Sequence, residues 1–274
     1  MKYMTFNSSC SYAGIANMLE QYGVDTNDRA IALAMKLPYL FSYCDGAYLS
    51  GPMLQSAQWF NLYLNPIGYT LLEEVISADE VADYLKSQKT AMLGMTIENA
   101  GKHAVVYVGT ESDTLVFLNN RWEQEDSPSE IRFTEEELKQ GLDATVVVAV
   151  LQEIPPQYVD FADRLKSSAK VLQANVTDII ELASSAETVA NLRSKLNTLF
   201  RPLFLDGITM LNLIGETALA QEFASLQQEL LSALRKDPRQ SICLKEYVSI
   251  SKLQASAKKY VELILNAGEN AKLC

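Results

Sequence analysis

The sequence predicts an α+β domain followed by an all-α helical bundle domain. Within residues 1–154, helical segments come first and strand-like runs come later, which favours α+β over a doubly wound α/β fold. Within residues 155–274, Leu, Ile, Val and Ala recur at helical spacing. Pro155 and Pro156 mark the junction, because tandem prolines neither continue a strand nor sit inside a helix.

The first domain is expected to contain four helices, each with a recognisable terminus. The first has Asn7 or Ser8 as its N-cap and ends at Gly23, and the second has a proline near its first turn. The last two begin with capping boxes, in which Ser or Thr is followed three residues later by Glu. The predicted helices span residues 8–22, 52–63, 77–87 and 134–141.

Five strand-like runs are predicted in the same domain. Two of them, 103–109 and 114–118, are separated by a turn that contains Glu-Ser-Asp, so they are expected to form a hairpin. The five runs span residues 69–75, 91–97, 103–109, 114–118 and 144–151.

The second domain is expected to be helical throughout. Short connections predict that neighbouring helices are antiparallel within a bundle. Asp237 and Pro238 separate the third helix from the fourth. The predicted helices lie near residues 157–184, 187–200, 206–236 and 240–266.

Composition and charge exclude several classes of protein. The 274 residues are 48% hydrophobic and 21% charged, which argues against a disordered, collagen-like or coiled-coil chain. The net charge is −11 without a cluster of Lys and Arg, so no nucleic acid partner is expected. The longest apolar runs, such as 144–151, are far shorter than the roughly 20 residues of a membrane span, so no membrane partner is expected. The acidic charge lies in the first domain.

A cytoplasmic location is expected, because the N-terminus has no apolar signal segment and the cysteines are few. Cys10, Cys44, Cys243 and Cys274 are scattered and have no zinc-type spacing. With a single histidine and no phosphate-binding glycine-rich loop, neither a metal site nor a cofactor is expected.

Cys10 and His103 are the candidate reactive residues. His103 is the only histidine and begins an apolar strand, so any imidazole base must be His103; a strand-edge histidine without a role is the alternative. Cys10 falls in the first turn of the predicted helix 8–22, where unpaired N–H groups and peptide dipoles favour a thiolate. A small buried cysteine is the alternative there. Together they match a Cys–His dyad.

Asn119 is the candidate third residue. It follows the strand 114–118, so the hairpin can place its side-chain oxygen beside His103 to orient the ring. Asn120 is the other candidate for this role, and a plain strand-terminal turn is the structural alternative.

The segment from Cys10 to Gly23 resembles the nucleophile helix of the bacteriocin-leader (double-glycine) peptidase family of the papain-like superfamily. In that family the catalytic Cys opens a helix of small and apolar residues, and a Gly follows at the same separation as here. The run from His103 to Gly109 is similar to the family's His motif, a His followed by β-branched residues and Gly. The family's orienting Asp corresponds to Asn119, and Asn in this role is the papain variant.

This resemblance covers residues 7–154 and implies a papain-like cysteine-peptidase fold, with the nucleophile helix packed on an antiparallel sheet. The family's oxyanion Gln, about six residues before the Cys, is replaced by Met4, which cannot donate a hydrogen bond. Asn7 is the nearest amide and the candidate substitute, with the Cys10 backbone N–H as the other donor. Ser9 replaces the family's acidic residue before the Cys.

A second resemblance is to the N-terminal domain of butirosin-type acyltransferases. That domain has the same nucleophile helix, with Asn-Leu-Leu where this chain has residues 17–19. There the helix is followed by an acidic turn and an aromatic segment, which residues 25–28 and 31–43 match loosely. The resemblance implies transfer of an acyl group from a carrier-protein thioester to an amine.

Three functions follow as alternatives. The first is cysteine peptidase-like hydrolysis of a peptide or acyl-thioester through an acyl-thioester on Cys10. The second is acyl transfer from a carrier protein to an amine. The third is a non-catalytic papain-like binding or interaction protein. A homodimer through the helical domain is a further expectation.

The substrate cleft has three candidate lining residues: Tyr43, Asn120 and Trp122. For the two aromatic residues, packing in the core is the alternative. The acidic run 123–126 is expected to be a solvated face.

Overall fold

The computed structural model describes residues 1–97 and 101–269, and its contacts define two compact units. Residues 36–54 were expected in the first domain, but they pack in the second unit. The first unit comprises Met1–Met35 and Gln55–Val159, and the second comprises Lys36–Leu54 and Asp160–Cys274.

The described residues form ten α-helices, numbered in chain order. They are α1 (Cys10–Glu20), α2 (Asp28–Ala34), α3 (Ala57–Leu64), α4 (Val81–Lys86), α5 (Glu135–Gln140), α6 (Ala162–Ser184), α7 (Val189–Ser194), α8 (Ile208–Leu213), α9 (Thr217–Leu234) and α10 (Ile250–Glu269). Two π-helical segments lie between α7 and α8, at Leu196–Phe200 and Pro202–Gly207. Short 3₁₀-helical turns lie at Leu37–Tyr39, Gly51–Met53, Asn65–Ile67 and Leu244–Glu246.

The same residues form ten β-strands. They are β1 (Phe41–Cys44), β2 (Ala47–Ser50), β3 (Tyr69–Ser77), β4 (Ala91–Ile97), β5 (Gly101–Glu111), β6 (Thr114–Asn119), β7 (Glu130–Phe133), β8 (Thr145–Glu153), β9 (Ala186–Thr188) and β10 (Ser241–Cys243). The main sheet has the order β3-β8-β4-β5-β6-β7, and every neighbouring pair is antiparallel. In the second unit, β1 pairs with β2 and β9 pairs with β10.

The two faces of the main sheet pack against different helices of the first unit. Successive side chains of a strand point to opposite faces. Leu93 and Val105 therefore face the core that also contains Leu85 of α4 and Leu138 of α5. Met92, on the opposite face, lies against α1, which packs on β4 and β5. The chain is thus α+β, with its first helix on an antiparallel sheet, as the sequence predicted.

Most of the predicted elements of the first unit agree with the structure except at their ends, but the helix predicted at 52–63 begins only at Ala57, after a separate 3₁₀ turn at Gly51–Met53. The helix predicted at 8–22 is α1, the five strand-like runs are β3, β4, β5, β6 and β8, and the predicted hairpin is β5–β6. The capping box at Thr134 is present, with reciprocal hydrogen bonds to Glu137. The predicted box at residues 77–80 is wrong, because Ser77 ends β3 by pairing with Thr145.

The second unit contains α6 packed against α10, with the β1–β2 hairpin held against α6 and the π-helical region. Three predicted helices of this unit differ from the structure. The helix predicted at 187–200 is divided into β9, α7 and the first π-helical segment. The helix predicted at 206–236 is interrupted between α8 and α9, where Gly215 adopts φ +80°. The helix predicted at 240–266 begins only at Ile250, because the residues of β10 pair with β9.

Candidate active site

Cys10 is the first residue of α1. The residues before it form a tight turn, in which the Ser9 N–H donates to the Phe6 carbonyl over 3.2 Å and Ser8 has a left-handed backbone with φ 60°. The N-cap is Ser9 rather than the predicted Asn7 or Ser8, and its side chain makes no capping hydrogen bond. The thiol therefore lies at a helix start, where peptide dipoles favour its ionised form.

The carboxylate of Asp28, the first residue of α2, holds this turn and is fully buried. Its Oδ2 accepts from the Thr5 N–H at 2.6 Å and from the Ser9 hydroxyl at 2.7 Å. Its Oδ1 accepts from the Thr5 hydroxyl at 2.8 Å and from the Arg29 N–H at 2.7 Å. Four donors compensate the buried carboxylate, and they fix the backbone that leads into Cys10.

Cys10 and His103 are in side-chain contact, although 93 positions separate them in the sequence. Burial raises the pKa of the Cys10 thiol, but hydrogen bonds from the His103 imidazole and from the Ala104 backbone N–H, with the imidazolium charge, outweigh burial. The pKa of Cys10 consequently lies below its ordinary value.

His103 shows the reciprocal shift. Burial lowers the pKa of the imidazole, but the hydrogen bond with Cys10 and the thiolate charge, followed by the backbone of Asn120 and the charge of Glu125, raise it above its ordinary value. The geometry thus favours a thiolate facing an imidazolium, which is the reactive form of a thiol nucleophile.

Asn119 is engaged by the loop that follows β6. Its side-chain amide donates to the Pro128 carbonyl at 3.0 Å and to the Ser127 hydroxyl at 3.4 Å, and its backbone N–H donates to the Ser129 carbonyl. The buried Nε2 of His103 has no hydrogen-bond partner within residues 1–97 and 101–269. In the part of the chain that the structure describes, the Asn119 amide therefore does not lie against His103 as the third residue of a triad.

Asn120 joins α1 to the sheet through a fully buried side chain. Its Oδ1 accepts from Asn17 at 2.9 Å, and its Nδ2 donates to the Ala104 carbonyl at 3.0 Å. Asn17 is also fully buried and binds both backbone groups of Lys2, at 2.6 and 3.0 Å. Asn120 was expected to line a substrate cleft, but its side chain is enclosed, and its backbone lies beside His103 instead.

Gly14 allows α1 to approach the sheet at this point, and Gly14→Ala is expected to destabilise the first unit. A Cβ there would lie 2.5 Å from the Met92 sulfur and 2.7 Å from Asn120 Nδ2, which its hydrogen bonds hold in place. Overpacking of this kind costs about 1–3 kcal/mol. We expect a lower unfolding midpoint in urea and slower alkylation of Cys10, because the backbone beside His103 moves with Asn120.

Gly141→Ala is the matched control for Gly14→Ala. A Cβ at Gly141 would make only ordinary contacts, the nearest at 3.5 Å, and the residue has φ −83°. Equal stability of Gly14→Ala and the wild-type protein would show that α1 can move away from the sheet without cost.

The predicted oxyanion residue Asn7 lies in the turn before Cys10 with an exposed side chain. Within the part of the chain that the structure describes, its amide makes no hydrogen bond and is free to turn towards a ligand. Its role remains a prediction. Met4, which stands where the peptidase family has Gln, is buried, and its N–H donates to the Arg121 carbonyl at 2.9 Å.

The two aromatic residues expected in a substrate cleft lie in different units. Trp122 is 40% exposed and, with Met4, lines an open cleft of about 550 Å³ in the first unit. Tyr43 belongs to β1 of the second unit, where its ring packs on Tyr48 with a centroid distance of 4.7 Å. It lines a separate cavity of about 380 Å³ with Asp178 and others.

Sequence reasoning did not assign roles to the polar residues that support the site: Asp28, Asn17 and Arg121. One signal was available for Asn17, a polar residue between Ala16 and Met18 in an otherwise apolar helix. A buried polar side chain of this kind needs a partner. The partner itself, Asn120, lies 103 positions away and could not be identified from spacing.

Two kinds of feature are absent from residues 1–97 and 101–269. No group of three His, Cys, Asp or Glu side chains there is arranged to hold a metal ion. None of the helices in this part of the chain is both long and apolar enough to span a bilayer. Cys10, Cys44 and Cys243 are free thiols, and Cys274 lies outside the described residues.

Comparison with known proteins gave similarity only among solved structures. No protein-family model matches the chain, and no curated protein matches it. The chain is similar to the peptidase domain of Streptococcus ComA, described as a bifunctional ABC transporter involved in a quorum sensing pathway. The identity is 14% and the TM-score 0.37, over 54% of this chain and 95% of that one.

The chain is also similar to a C39-like peptidase from Bacillus anthracis. The identity is 14% and the TM-score 0.32, over 54% of this chain and 91% of that one. Both solved structures are described as peptidases.

Proposed function

We propose that this protein is a cysteine peptidase-like enzyme in which Cys10 is the nucleophile. His103 takes the thiol proton as general base and then gives it to the leaving group as general acid. The observation that carries the proposal is the contact between the Cys10 thiol and the His103 imidazole at the start of α1. The pKa of the thiol is lowered and that of the imidazole is raised, so each group favours the ionised form of the other.

The proposed reaction is acyl transfer through a thioester. The Cys10 thiolate attacks the substrate carbonyl, and the carbonyl π electrons move to oxygen to form a tetrahedral oxyanion. When the oxyanion collapses, the bond to the leaving group breaks and His103 gives that group a proton. An acceptor, deprotonated by His103, then attacks the acyl-thioester on Cys10 and releases the thiolate.

The oxyanion would be bound by the Cys10 backbone N–H and the amide of Asn7. Asn7 lies just before α1, and Cys10 is the first residue of that helix. Preorganised donors at such a position stabilise the charge that develops in the transition state. The backbone of Asn120 would orient His103, and the hydrogen bonds of Asn120 to Asn17 and Ala104 would keep that backbone in place.

The acceptor decides between the two enzymatic alternatives. Water gives hydrolysis of a peptide or thioester, and an amine gives the acyltransferase reaction with a carrier-protein thioester as donor. Incubation of the protein with an acyl-thioester, in the presence and absence of a primary amine, separates them by mass spectrometry of the products. An amide product indicates acyl transfer, and a free acid alone indicates hydrolysis.

The pH dependence of Cys10 alkylation by iodoacetamide tests the thiolate–imidazolium pair. Because the pKa of Cys10 is lowered, we expect it to react at lower pH than Cys44. The pKa of Cys44 is raised by its hydrogen bond to Asp45 and by that carboxylate's charge, so Cys44 is an internal control even though it is fully exposed. Peptide mass spectrometry measures both residues in one sample.

The His103→Ala variant tests whether the imidazole lowers the pKa of Cys10. It removes the hydrogen bond and the charge of the imidazole, both of which lower the pKa of Cys10, while burial, which raises it, and the hydrogen bonds from Ala104 and Ser11 remain. The midpoint of Cys10 alkylation should therefore move to higher pH, with Cys44 unchanged. If Cys10 behaves as an ordinary thiol in the wild-type protein, or its profile is the same in His103→Ala, the pair does not exist. A non-catalytic binding role then becomes the leading account.

A further inference from the structure

The first unit has an open cleft between the segment that precedes α1 and the loop that follows β6, which we call the Trp122 cleft. Its volume is about 550 Å³. One wall is the Trp122 side chain and another is Met4, which lies six positions before Cys10 on the segment that leads into α1. The cleft is lined by Met4, Trp122, Glu123, Gln124 and Glu125.

The loop that forms the cleft is held by Arg121. The Nη1 of Arg121 donates to the backbone carbonyls of Trp122 at 2.8 Å, Glu123 at 3.2 Å and Glu125 at 2.5 Å. The Trp122 N–H donates to the Glu125 carboxylate at 3.2 Å. The guanidinium is thus directed at the loop backbone, and the side chains of Glu123 and Glu125 are exposed.

Two observations place the cleft next to the chemistry. The residue before Arg121 is Asn120, whose Nδ2 donates at 3.0 Å to the carbonyl of Ala104, the residue that follows His103. The Glu125 carboxylate is close enough to His103 for its charge to stabilise the imidazolium. A group bound in the cleft would therefore be held by the loop that continues from the contact between Asn120 and the His103 strand.

The electrostatics of the cleft favour a cation. Among residues 1–97 and 101–269, neither Glu123 nor Glu125 has an ion-pair partner. The first unit contains eight Lys and Arg and twenty Asp and Glu, a net charge of −12, so the surrounding field is negative as well. The exposed indole of Trp122 adds a π face, which attracts ammonium and guanidinium groups.

We propose that the Trp122 cleft binds a positively charged ammonium or guanidinium group of the substrate, next to the carbonyl that Cys10 attacks. The inference rests on the proposed function, because it names the substrate class of that same site. Glu123 and Glu125 supply the opposite charge, Trp122 supplies the aromatic wall, and Arg121 keeps the loop in shape. The solvated acidic face expected from the sequence thereby becomes a recognition element.

The test uses three methanethiosulfonate reagents of similar size on the full chain: a trimethylammonium, a hydroxyl and a sulfonate derivative. In each case the Cys10 thiolate attacks the reagent's sulfenyl sulfur, a mixed disulfide forms and methanesulfinate leaves. The readout is the ratio of the second-order rates for the cationic and neutral reagents at Cys10, divided by the same ratio for a small neutral thiol. This ratio reports charge selection and is independent of how reactive the thiol is.

We expect the normalised ratio to exceed unity in the wild-type protein and to fall about two- to fivefold in Glu123→Gln, a size typical of one solvent-exposed charge pair. Glu125→Gln should lower it similarly, and its effect on His103 cancels because all reagents share it. The ratio should also fall at high salt. Glu73→Gln, which removes the same charge from edge strand β3, is the matched control and should leave the ratio unchanged.

The outcomes separate this inference from the proposed function. A ratio that is the same in the wild-type protein, Glu123→Gln and Glu125→Gln overturns the cation site, even where Cys10 reacts rapidly with the neutral reagent. A fall of equal size in Glu73→Gln also overturns it, because the selection would then come from the general field. Slow reaction of Cys10 with the neutral reagent counts against the proposed function alone, since the ratio still measures the cleft.

Discussion

Cys10→Ala is expected to abolish turnover of acyl substrates while the protein keeps its fold. Removal of the nucleophile eliminates the covalent intermediate, and losses on the order of 10⁴-fold or more are typical of such changes. The side chain is small and half-buried at the first residue of α1, so its truncation leaves the packing of the helix unchanged. Initial rates on an acyl-thioester, with a thermal melt of the same sample, measure both effects.

Cys44→Ala is the matched control for Cys10→Ala, because it removes the same atom from an exposed position of the other unit. It should keep full activity. Retention of more than about a tenth of the activity in Cys10→Ala would mean that another group performs the reaction, since nucleophile loss is expected to be far larger.

Asp28→Asn is expected to be among the most destabilising single substitutions in the first unit. The carboxylate accepts four hydrogen bonds, two of them from backbone N–H groups that cannot reverse their direction. An amide in its place presents an NH₂ group to one pair of donors and leaves a buried N–H without an acceptor. The loss should be about 2–4 kcal/mol, since an unsatisfied buried donor costs about 1–3 kcal/mol and charge-assisted hydrogen bonds are lost as well.

Unfolding in urea and the rate of Cys10 alkylation are the two measurements for Asp28→Asn. The rate of Cys10 alkylation should fall together with the stability in urea, because Asp28 holds the Thr5–Ser9 turn that positions Cys10 beside His103. Asp25→Asn is the control: Asp25 lies three positions earlier, is fully exposed and pairs with Lys2. An Asp28→Asn protein as stable as the Asp25→Asn protein would contradict the role assigned to the buried carboxylate.

The position of Cys10 at a helix start could be predicted from the sequence because the signals are local. Small and apolar residues follow the cysteine, and Gly23 supplies the left-handed residue, with φ +79°, that ends the helical segment. The hairpin that carries His103 was equally accessible, since two apolar runs flank a short polar turn. The capping box at Thr134 has the same local character.

The choice between Asn119 and Asn120 could not be made from the sequence, because it depends on a bulge. The pairing of β5 with β6 shifts by one residue between Tyr107 and Gly109, so that Val105 is opposite Asn119. A shift of one residue exchanges the two faces of a strand, and nothing in the local pattern marks its position. Only the structure shows that the Asn119 side chain bonds to the following loop and that the Asn120 side chain bonds to α1.

The short strands escaped prediction for a related reason. β1, β2, β7, β9 and β10 have three or four residues each, too few for an alternation of polar and apolar residues to be recognised. The assignment of residues 36–54 to the second unit depends on contacts with residues more than a hundred positions later. No linker composition separates this segment from its neighbours in the sequence.

The hydrogen bonds of the β1–β2 hairpin set an order of events during synthesis of the chain. The Phe41 N–H donates to Ser168 Oγ, the Tyr48 hydroxyl to Asp178 and the Ser50 hydroxyl to the Pro202 carbonyl, across 127, 130 and 152 positions respectively. At about 5–20 residues per second, the hairpin waits on the order of 10 s before its partners leave the ribosome.

During that interval the side chains of Phe41 and Tyr48, which are buried in the finished protein, have none of these partners. Contacts of such long sequence separation also slow folding after release, because the intervening loop must be closed before the contact can form. The second unit is therefore the part of this protein that acquires its structure last, and its completion depends on a segment made before most of the main sheet.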